Sequence, residues 1–443
     1  MNATNKKYKY AIVGGGAAGC TLAYHLTRNH HDVVLFERQR GLGGLASAVP
    51  FGHTQLDRFY HHIFTSDTHV QAFADRMGLY DKLQWCDSSV AFEADGRLYP
   101  FTTPTHLLRF KPLPLLSRLR VGFSVLAERR RDDYKELEGI TAEDYIIRHM
   151  GEKAYRILWE PLLRSKFGDR YREVSAVWFW GKIKLRGGTR SKGGSGECLG
   201  YIKDGWGQIY EGLGQAIEHQ GGDIRYGEMV KQIEETASGL RVHTRKSQED
   251  FDRVIVTPSL PNFVQMVPSL PDEYKNSLSA IPYQANMTMI LGIERSLSPY
   301  YWLNVTDPDS PFVAVIEHTN LFNDPGYGDL IPLYISRYIS RDHPLYKTRV
   351  PEIKDLFYTQ MEKLFPRFSR EQIHHFTFSR ADYAQPVIAL QYAKKRPSFT
   401  TPMNNLYLCT MVQIYPEDRG MNYAMKIAEE LLIQLGELDN LSA

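Results

Sequence analysis

Cysteine is scarce in this chain of 443 residues: Cys20, Cys86, Cys198 and Cys409 stand far apart, and none shares metal-ligand spacing with another. That excludes a disulfide framework and a structural zinc site, and it fits a reducing compartment. Charge of one sign is missing too. The 53 basic residues nearly balance the 51 acidic ones, and a net +2 is too little for an electrostatically driven nucleic-acid binder. No run reaches the roughly 18 uncharged apolar residues that a spanning helix needs. The nearest, Leu113 to Ala127, is broken by Arg118 and Arg120. The segment Met1 to Lys9 is short and polar and offers no hydrophobic region for export. Internal repeats and low-complexity tracts are absent as well. A soluble, cytoplasmic protein is expected.

What is present is ordinary in bulk. A hydrophobic fraction of 43% and a charged fraction of 23% exclude disorder as a description of the whole. The length allows two or three domains, or one large domain with insertions.

The N-terminus is more specific. The apolar run Lys9 to Val13 reads as a buried parallel strand, and Gly14-Gly15-Gly16-Ala17-Ala18-Gly19 follows it directly. Cys20 to Arg28 reads as a helix, Asp32 to Phe36 as a second strand, and Glu37 closes that strand. Strand, glycines, helix, strand and acid in this order form a dinucleotide-binding fingerprint. Gly14 permits a tight turn, Gly16 lets a pyrophosphate approach the backbone, and Gly19 lets the helix pack closely. The helix start offers free N–H groups to the phosphates, and the Glu37 carboxylate can accept from ribose hydroxyls. Arg38 could instead signal a 2′-phosphate, but Glu37 beside it argues for an unphosphorylated ribose.

A second glycine pair, Gly43-Gly44 before Leu45, follows the acid. With it the N-terminus resembles the large family of FAD enzymes that includes amine oxidases, protoporphyrinogen oxidases, phytoene desaturases and UDP-galactopyranose mutases. The resemblance implies that Gly43 and Gly44 bring backbone close to the FAD pyrophosphate and flavin, with Ala17, Ala18, Arg38 and Leu45 in the same cradle. Phe51 to Thr65, with His61-His62-Ile63-Phe64, resembles the mutases and still more a bacterial protoporphyrinogen-oxidase-like group. It implies that His62 aligns with a mutase histidine near the flavin, and His61 is taken as a cofactor contact. In an extended chain the two histidines would face opposite ways. Glu160 to Gly168, Val174 to Trp180, Val315 to Asn320 and Ile414 to Ala424 match the same group.

The expected architecture is α/β: a Rossmann-type FAD-binding domain interleaved with a mixed α+β substrate domain. The FAD-binding part comprises residues 1–105, 201–275 and 376–443. The substrate part comprises 106–200, a helical insertion, and 276–375. In this family the segment resembled by Met229-Val230 contacts adenine through its backbone. Asp418-Arg419-Gly420-Met421 precedes a helix, Asn422 to Leu435, whose start would face the flavin's pyrimidine edge, so Asp418, Gly420 and Met421 join the cofactor set. No attachment residue is recognisable, so FAD is expected to bind non-covalently, with Cys409 the one cysteine near the last flavin-binding strand.

Flavin supplies the difficult chemistry, so the search is for pocket residues. Arg164, Lys166 and Arg337 are candidates for an anionic substrate; Tyr334, Tyr338 and Tyr415 for the flavin face; Glu317 beside His318 for a proton-sharing acid/base pair. The catalytic candidates are thus His62, Glu317, His318, Arg337 and Tyr415. Met411 to Tyr415 lacks the Gly-Glu usual in amine oxidases near the last flavin-binding strand, which weakens that assignment. Three readings stay open. The preferred one is an oxidase, dehydrogenase or desaturase taking a hydride from a small organic substrate. The second is a redox-neutral sugar mutase acting on a nucleotide-linked or lipid-linked sugar, and the third a flavin-bearing scaffold. Separately, His106 to Arg131 places leucines and Phe123 near helical spacing among arginines. That is the pattern of a surface helix or of peripheral membrane contact.

Overall fold

Lys9–Val13 occupies the centre of a five-stranded parallel sheet in the order Asp223–Tyr226, Asp32–Glu37, Lys9–Val13, Arg253–Val256, Leu406–Leu408. This computed structural model describes residues 6–94, 96–188 and 196–441, so the first five residues of the polar N-terminal segment lie outside it. Both faces of the sheet are covered, which is why its strands read as unbroken apolar runs rather than alternating ones. Tyr10 and Ile12 pack into a core shared with the helices Ala17–Arg28, Gly207–His219 and Met421–Gln434. Ala11 and Val13 point the other way, into a core that continues through the helical insertion.

A seven-stranded sheet forms the second half. Its order is Ile373–Pro386, Tyr283–Ile293, Ile331–Ile339, Ala314–Glu317, Trp302–Val305, Val90–Ala94, Arg97–Pro100. One face carries Met287, Met289, Leu333 and Ile335 against the helix Val350–Leu364. Here the sheets depart from the boundaries read in the sequence. Val90–Ala94 pairs in parallel with Trp302–Val305, so Val90 to Pro100 joins the seven-stranded sheet, as does Ile373–Pro386. A short strand's composition reveals that it is a strand but not which edge it completes.

The insertion contains the helices Pro104–Arg109, Leu115–Arg130, Ala142–Met150, Glu160–Phe167 and Ala176–Gly188. The basic stretch read as one helix is therefore two. Pro112 and Pro114 cannot continue a helix, and the chain turns between them. The insertion lies beside the mouth of the parallel sheet, and the last two of these helices bring Lys166, Trp178 and Lys182 to it.

Candidate active site

The glycine loops are built for close approach. Gly14 has a φ of 97°, and a Cβ on Gly19 would stand 1.8 Å from the Gly14 carbonyl oxygen, so only glycine fits there. The Gly43 N–H donates to the Gly15 carbonyl at 2.7 Å, and a Cβ on Gly44 would meet the Gly16 Cα at 3.2 Å. The two glycine loops thus touch and present one continuous backbone surface. Beyond Gly16 a Cβ would find nothing within 4 Å.

Two helices begin at this surface, Ala17–Arg28 after Gly16 and Met421–Gln434 after Gly420, and neither glycine N-cap receives a side-chain hydrogen bond. A capping side chain is ordinarily worth about 1 kcal/mol. Two uncapped starts, each with free N–H groups and partial positive charge, suit a phosphate and an electron-rich ring edge. Glu37 is buried and accepts from the Gly15 N–H at 2.7 Å and the Gln39 N–H at 2.8 Å, leaving each oxygen a second lone pair for a ribose hydroxyl. Gly227 and Glu228 donate backbone N–H groups to the Gln39 and Glu37 carbonyls, so the chain up to Val230 runs along the end of that strand. Ala17 and Leu45 stay half-exposed at the groove, Ala18 is buried behind it, and Arg38 is exposed at its rim. The open space beyond Gly16, the uncapped helix start and the Glu37 lone pairs suit the phosphates and ribose of an adenine dinucleotide.

Past the start of Met421–Gln434, the charges concentrate. Asp418 is ion-paired with Lys166 and with Lys182, and the Trp178 indole N–H lies 3.4 Å from the same carboxylate. Burial would raise the Asp418 carboxyl, but the two ammonium groups override it and hold it well below the usual range. Burial also drives Lys166 well down, Lys182 and Arg419 add to that, and Asp418 opposes them. Arg419 donates to the Gln385 amide oxygen at 3.0 Å and to the Tyr338 hydroxyl. His61 lies deep, and burial followed by the Arg419 charge lowers its imidazole to about 4. Yet His61, Lys166 and Arg419 all retain accessible surface. His61 and Lys166 are thus desolvated yet not sealed, which is the condition of side chains that border an interior space open to solvent.

The sequence-predicted catalytic residues do not gather there. His62 packs its Nδ1 3.1 Å from the Tyr301 hydroxyl, between the rings of Tyr60 and Trp302. His61, not His62, meets the Arg419 charge: Tyr60 and His62 share one side, against Tyr301 and Trp302, and His61 between them takes the other, as alternation predicts. Glu317 and His318 part company. Glu317 accepts from the Leu297 and Ser298 N–H groups at 3.0 and 3.2 Å, while His318 is wholly buried among Tyr60, Tyr201, Phe322, Tyr327 and Tyr334. They share no proton. Arg337 donates to the Ser310 carbonyl at 2.8 Å. Strand alternation places it on the sheet face opposite Tyr338, hence away from Arg419. Tyr415 is buried and donates to Glu138 of the insertion, and Tyr334 is buried with its hydroxyl on the Asp57 carbonyl. Arg164 is an exposed partner of Glu160. Asp418 turns its carboxylate to the lysines, leaving Gly420 and Met421 at the helix start. Cys409 is buried as a free thiol.

Lys182, Arg419, Gln284, Asn286 and Gln385 were missed. A signal existed for part of this set. Gln284-Ala285-Asn286-Met287-Thr288-Met289 alternates polar and apolar in a strand buried on both faces. Its polar face must therefore meet polar partners inside the protein, and Asn286 pairs in register with Tyr338 and donates to Ser336.

Comparison with known proteins agrees with this architecture. Over 98% of its length the chain superposes on a protein from Exiguobacterium sp. 255-15 provisionally named protoporphyrinogen oxidase, covering 100% of it with a TM-score of 0.78 at 18% identity. A reduced UDP-galactopyranose mutase is covered over 97% of its length, with 98% of this chain aligned, a TM-score of 0.75 and 16% identity. Among curated proteins, the carotenoid phi-ring synthase of Streptomyces griseus is 30% identical over 189 residues. That match spans 38% of this chain and only 36% of the synthase. Residues 17–412 match the profile of the flavin containing amine oxidoreductases, and the chain belongs to that FAD-binding family.

Proposed function

We propose that the protein is an FAD-dependent oxidoreductase that removes a hydride from a small organic substrate bearing an anionic group. The observation that carries this reading is the Asp418 cluster. Lys166 and Lys182 converge on one ionised carboxylate, and Arg419, held by Gln385 and Tyr338, adds its charge close to Lys166, so cations outnumber the carboxylate and Arg419 and Lys182 can serve a ligand. FAD, when bound, supplies the hydride-accepting ring. The chain's own residues bind and orient. Lys182 and Arg419 hold the anionic end of the substrate, with Asp418 fixing the Lys166 and Lys182 ammonium groups in place. Tyr338 and Gln385 lock the Arg419 guanidinium in one plane. His61, neutral at its lowered value of about 4, can take a proton without first losing one.

The same cations favour one second reading, a redox-neutral reaction on a nucleotide-linked or lipid-linked sugar, because a diphosphate needs such a cluster.

The test is anaerobic titration of the FAD-loaded protein with small carboxylates, phosphate esters and amines, following flavin bleaching. Bleaching by an anionic compound is expected, and Lys182→Met should raise its half-saturating concentration about tenfold while leaving FAD content unchanged. Bleaching by amines alone would defeat the reading. Turnover of a nucleotide sugar under dithionite, with no net change in flavin redox state, would select the second one.

A further inference from the structure

The helix Leu115–Arg130 is folded inside out. Its inward face carries Val121, Gly122, Ser124 and Glu128. Gly122 lies against Leu107 of the preceding helix, Ser124 donates to the His149 carbonyl at 3.0 Å, and the buried Glu128 carboxylate accepts from Tyr145. The outward face carries Leu115, Leu116, Leu119, Phe123 and Leu126, with Leu116 81% and Phe123 70% exposed. A surface helix ordinarily turns such a stripe to the core. Of the twelve exposed large apolar side chains among the described residues, six lie between Leu108 and Leu126. A contiguous apolar patch of this kind marks an interaction surface.

Charge identifies the occupant. Between Pro104 and Arg131 there are seven basic residues and one acid, Glu128, which is buried and paired with Arg131. The whole chain carries only +2, so its positive charge is concentrated around this stripe. Arg118 and Arg120 are held by backbone carbonyls, of Leu108 and Leu113 and of Arg148 and His149 respectively, so they flank the stripe in fixed positions. A second copy of the chain would bring like charge onto like charge. An anionic lipid surface meets both features, taking the leucines and Phe123 below its headgroups and the arginines among its phosphates.

The geometry points to the hairpin Pro104–Arg131 as a peripheral docking surface for an anionic membrane, lying flat in the interface. No helix of the described chain is long and apolar enough to cross. The surface is one helix away from the candidate site. Ala176–Gly188 presents Lys182 and Trp178 to Asp418, and its Trp180 and Lys184 donate to the carbonyls of Arg129 and Arg131 at the end of Leu115–Arg130.

The test is co-sedimentation of the FAD-loaded protein with phosphatidylcholine vesicles, with and without phosphatidylglycerol, at low and high salt. Binding to the phosphatidylglycerol vesicles, weakened by salt, is expected. The double variant Leu116→Glu/Phe123→Glu should lose it about tenfold or more while keeping FAD content and melting temperature. Lys111→Glu, which touches no apolar contact, should weaken it less. Failure of the wild type to sediment with anionic vesicles at low salt would overturn the proposal. So would undiminished binding by the double variant. A wild-type dimer in sedimentation velocity that the double variant converts to a monomer would overturn it in favour of self-association.

Discussion

At Asp418, burial and neighbouring charge pull against each other and charge prevails; at Asp57, burial meets only neutral hydrogen-bond donors and prevails. Asp418 is flanked by two ammonium groups and stays ionised far below the usual range. Asp57 is just as enclosed, but its surroundings are Tyr201, Tyr301, Tyr327 and Tyr334 with the unpartnered ring of His318 nearby. One Asp57 oxygen accepts from the Trp206 N–H at 3.1 Å, and among the described residues no cation acts on this carboxyl. Burial therefore lifts its carboxyl from 3.8 to about 7, with the Tyr201 hydroxyl and the Trp206 N–H drawing it only partway back. The contrast separates two uses of a buried carboxyl. Where charge is kept, the surroundings supply more cation than the protein consumes, and a ligand can use the excess. Where charge is suppressed, the group serves packing and hydrogen bonding.

The largest expected effect comes from making the same substitution in both places. Asp418→Asn keeps the shape but strands Lys166 and Lys182 beside Arg419. Breaking a buried ion pair costs about 3–5 kcal/mol, and the lower end applies because Lys182 retains contact with water. Urea unfolding of the FAD-loaded protein at neutral pH measures it. Asp57→Asn keeps the acceptor for Trp206 and removes a carboxyl that the fold already holds neutral at low pH. Little loss is expected at pH 5 and a gain at pH 8. Equal losses at both positions would erase the comparison.

Next is the pH course of stability. Asp57 titrates higher in the folded protein than in the unfolded chain. Between about 4 and about 7 the native state keeps a proton that the unfolded chain has shed. Its contribution is complete below that window and declines as pH rises through about 7. A three-unit difference bounds the loss at about 4 kcal/mol. His318 titrates in the same window with the opposite sign, so the readout is a difference: Asp57→Asn should gain on the wild type as pH rises across the window, as melting curves of both at stepped pH will read. Parallel curves would mean that Asp57 is ionised in the fold.

Legibility in the sequence follows contiguity. Gly14 to Gly19 and Glu37 lie within one strand–helix–strand unit and Gly43-Gly44 in the turn that follows it, and their roles depend on local backbone shape, so the order of residues carries the cradle. The cation cluster joins Lys166 to Asp418 across 252 positions, and no local pattern marks such a pairing. His61 and His62 show a limit at short range. Alternation sets them on opposite sides but does not say which of the two meets Arg419. The polar stripe of Tyr283–Ile293 was legible by period, but period gives a face and not its partner. The basic hairpin shows the converse. Its residue types were plain, and its inside-out orientation depends on Glu128 finding Tyr145 in another helix.

The smallest effect sharpens the Asp57 side of the comparison from the opposite charge. His318 is fully buried, with neither ring nitrogen hydrogen-bonded and Tyr201 at 4.4 Å between ring centroids. Burial lowers its imidazole from 6.5 to about 3, so the fold holds it neutral. Its contribution is complete above 6.5 and is lost as pH falls toward 3, when the unfolded chain takes up a proton that the native state refuses. His318→Phe supplies a ring of similar shape with no polar atoms to leave unsatisfied. Stability at pH 7 should then change by no more than about 1 kcal/mol, in either direction. The acid-side decline between pH 6.5 and about 4 should become shallower. A loss of several kcal/mol at pH 7 would show that His318 makes a hydrogen bond essential to the fold. It would then belong with the groups whose polarity is used, and the line between the two clusters would have to be redrawn.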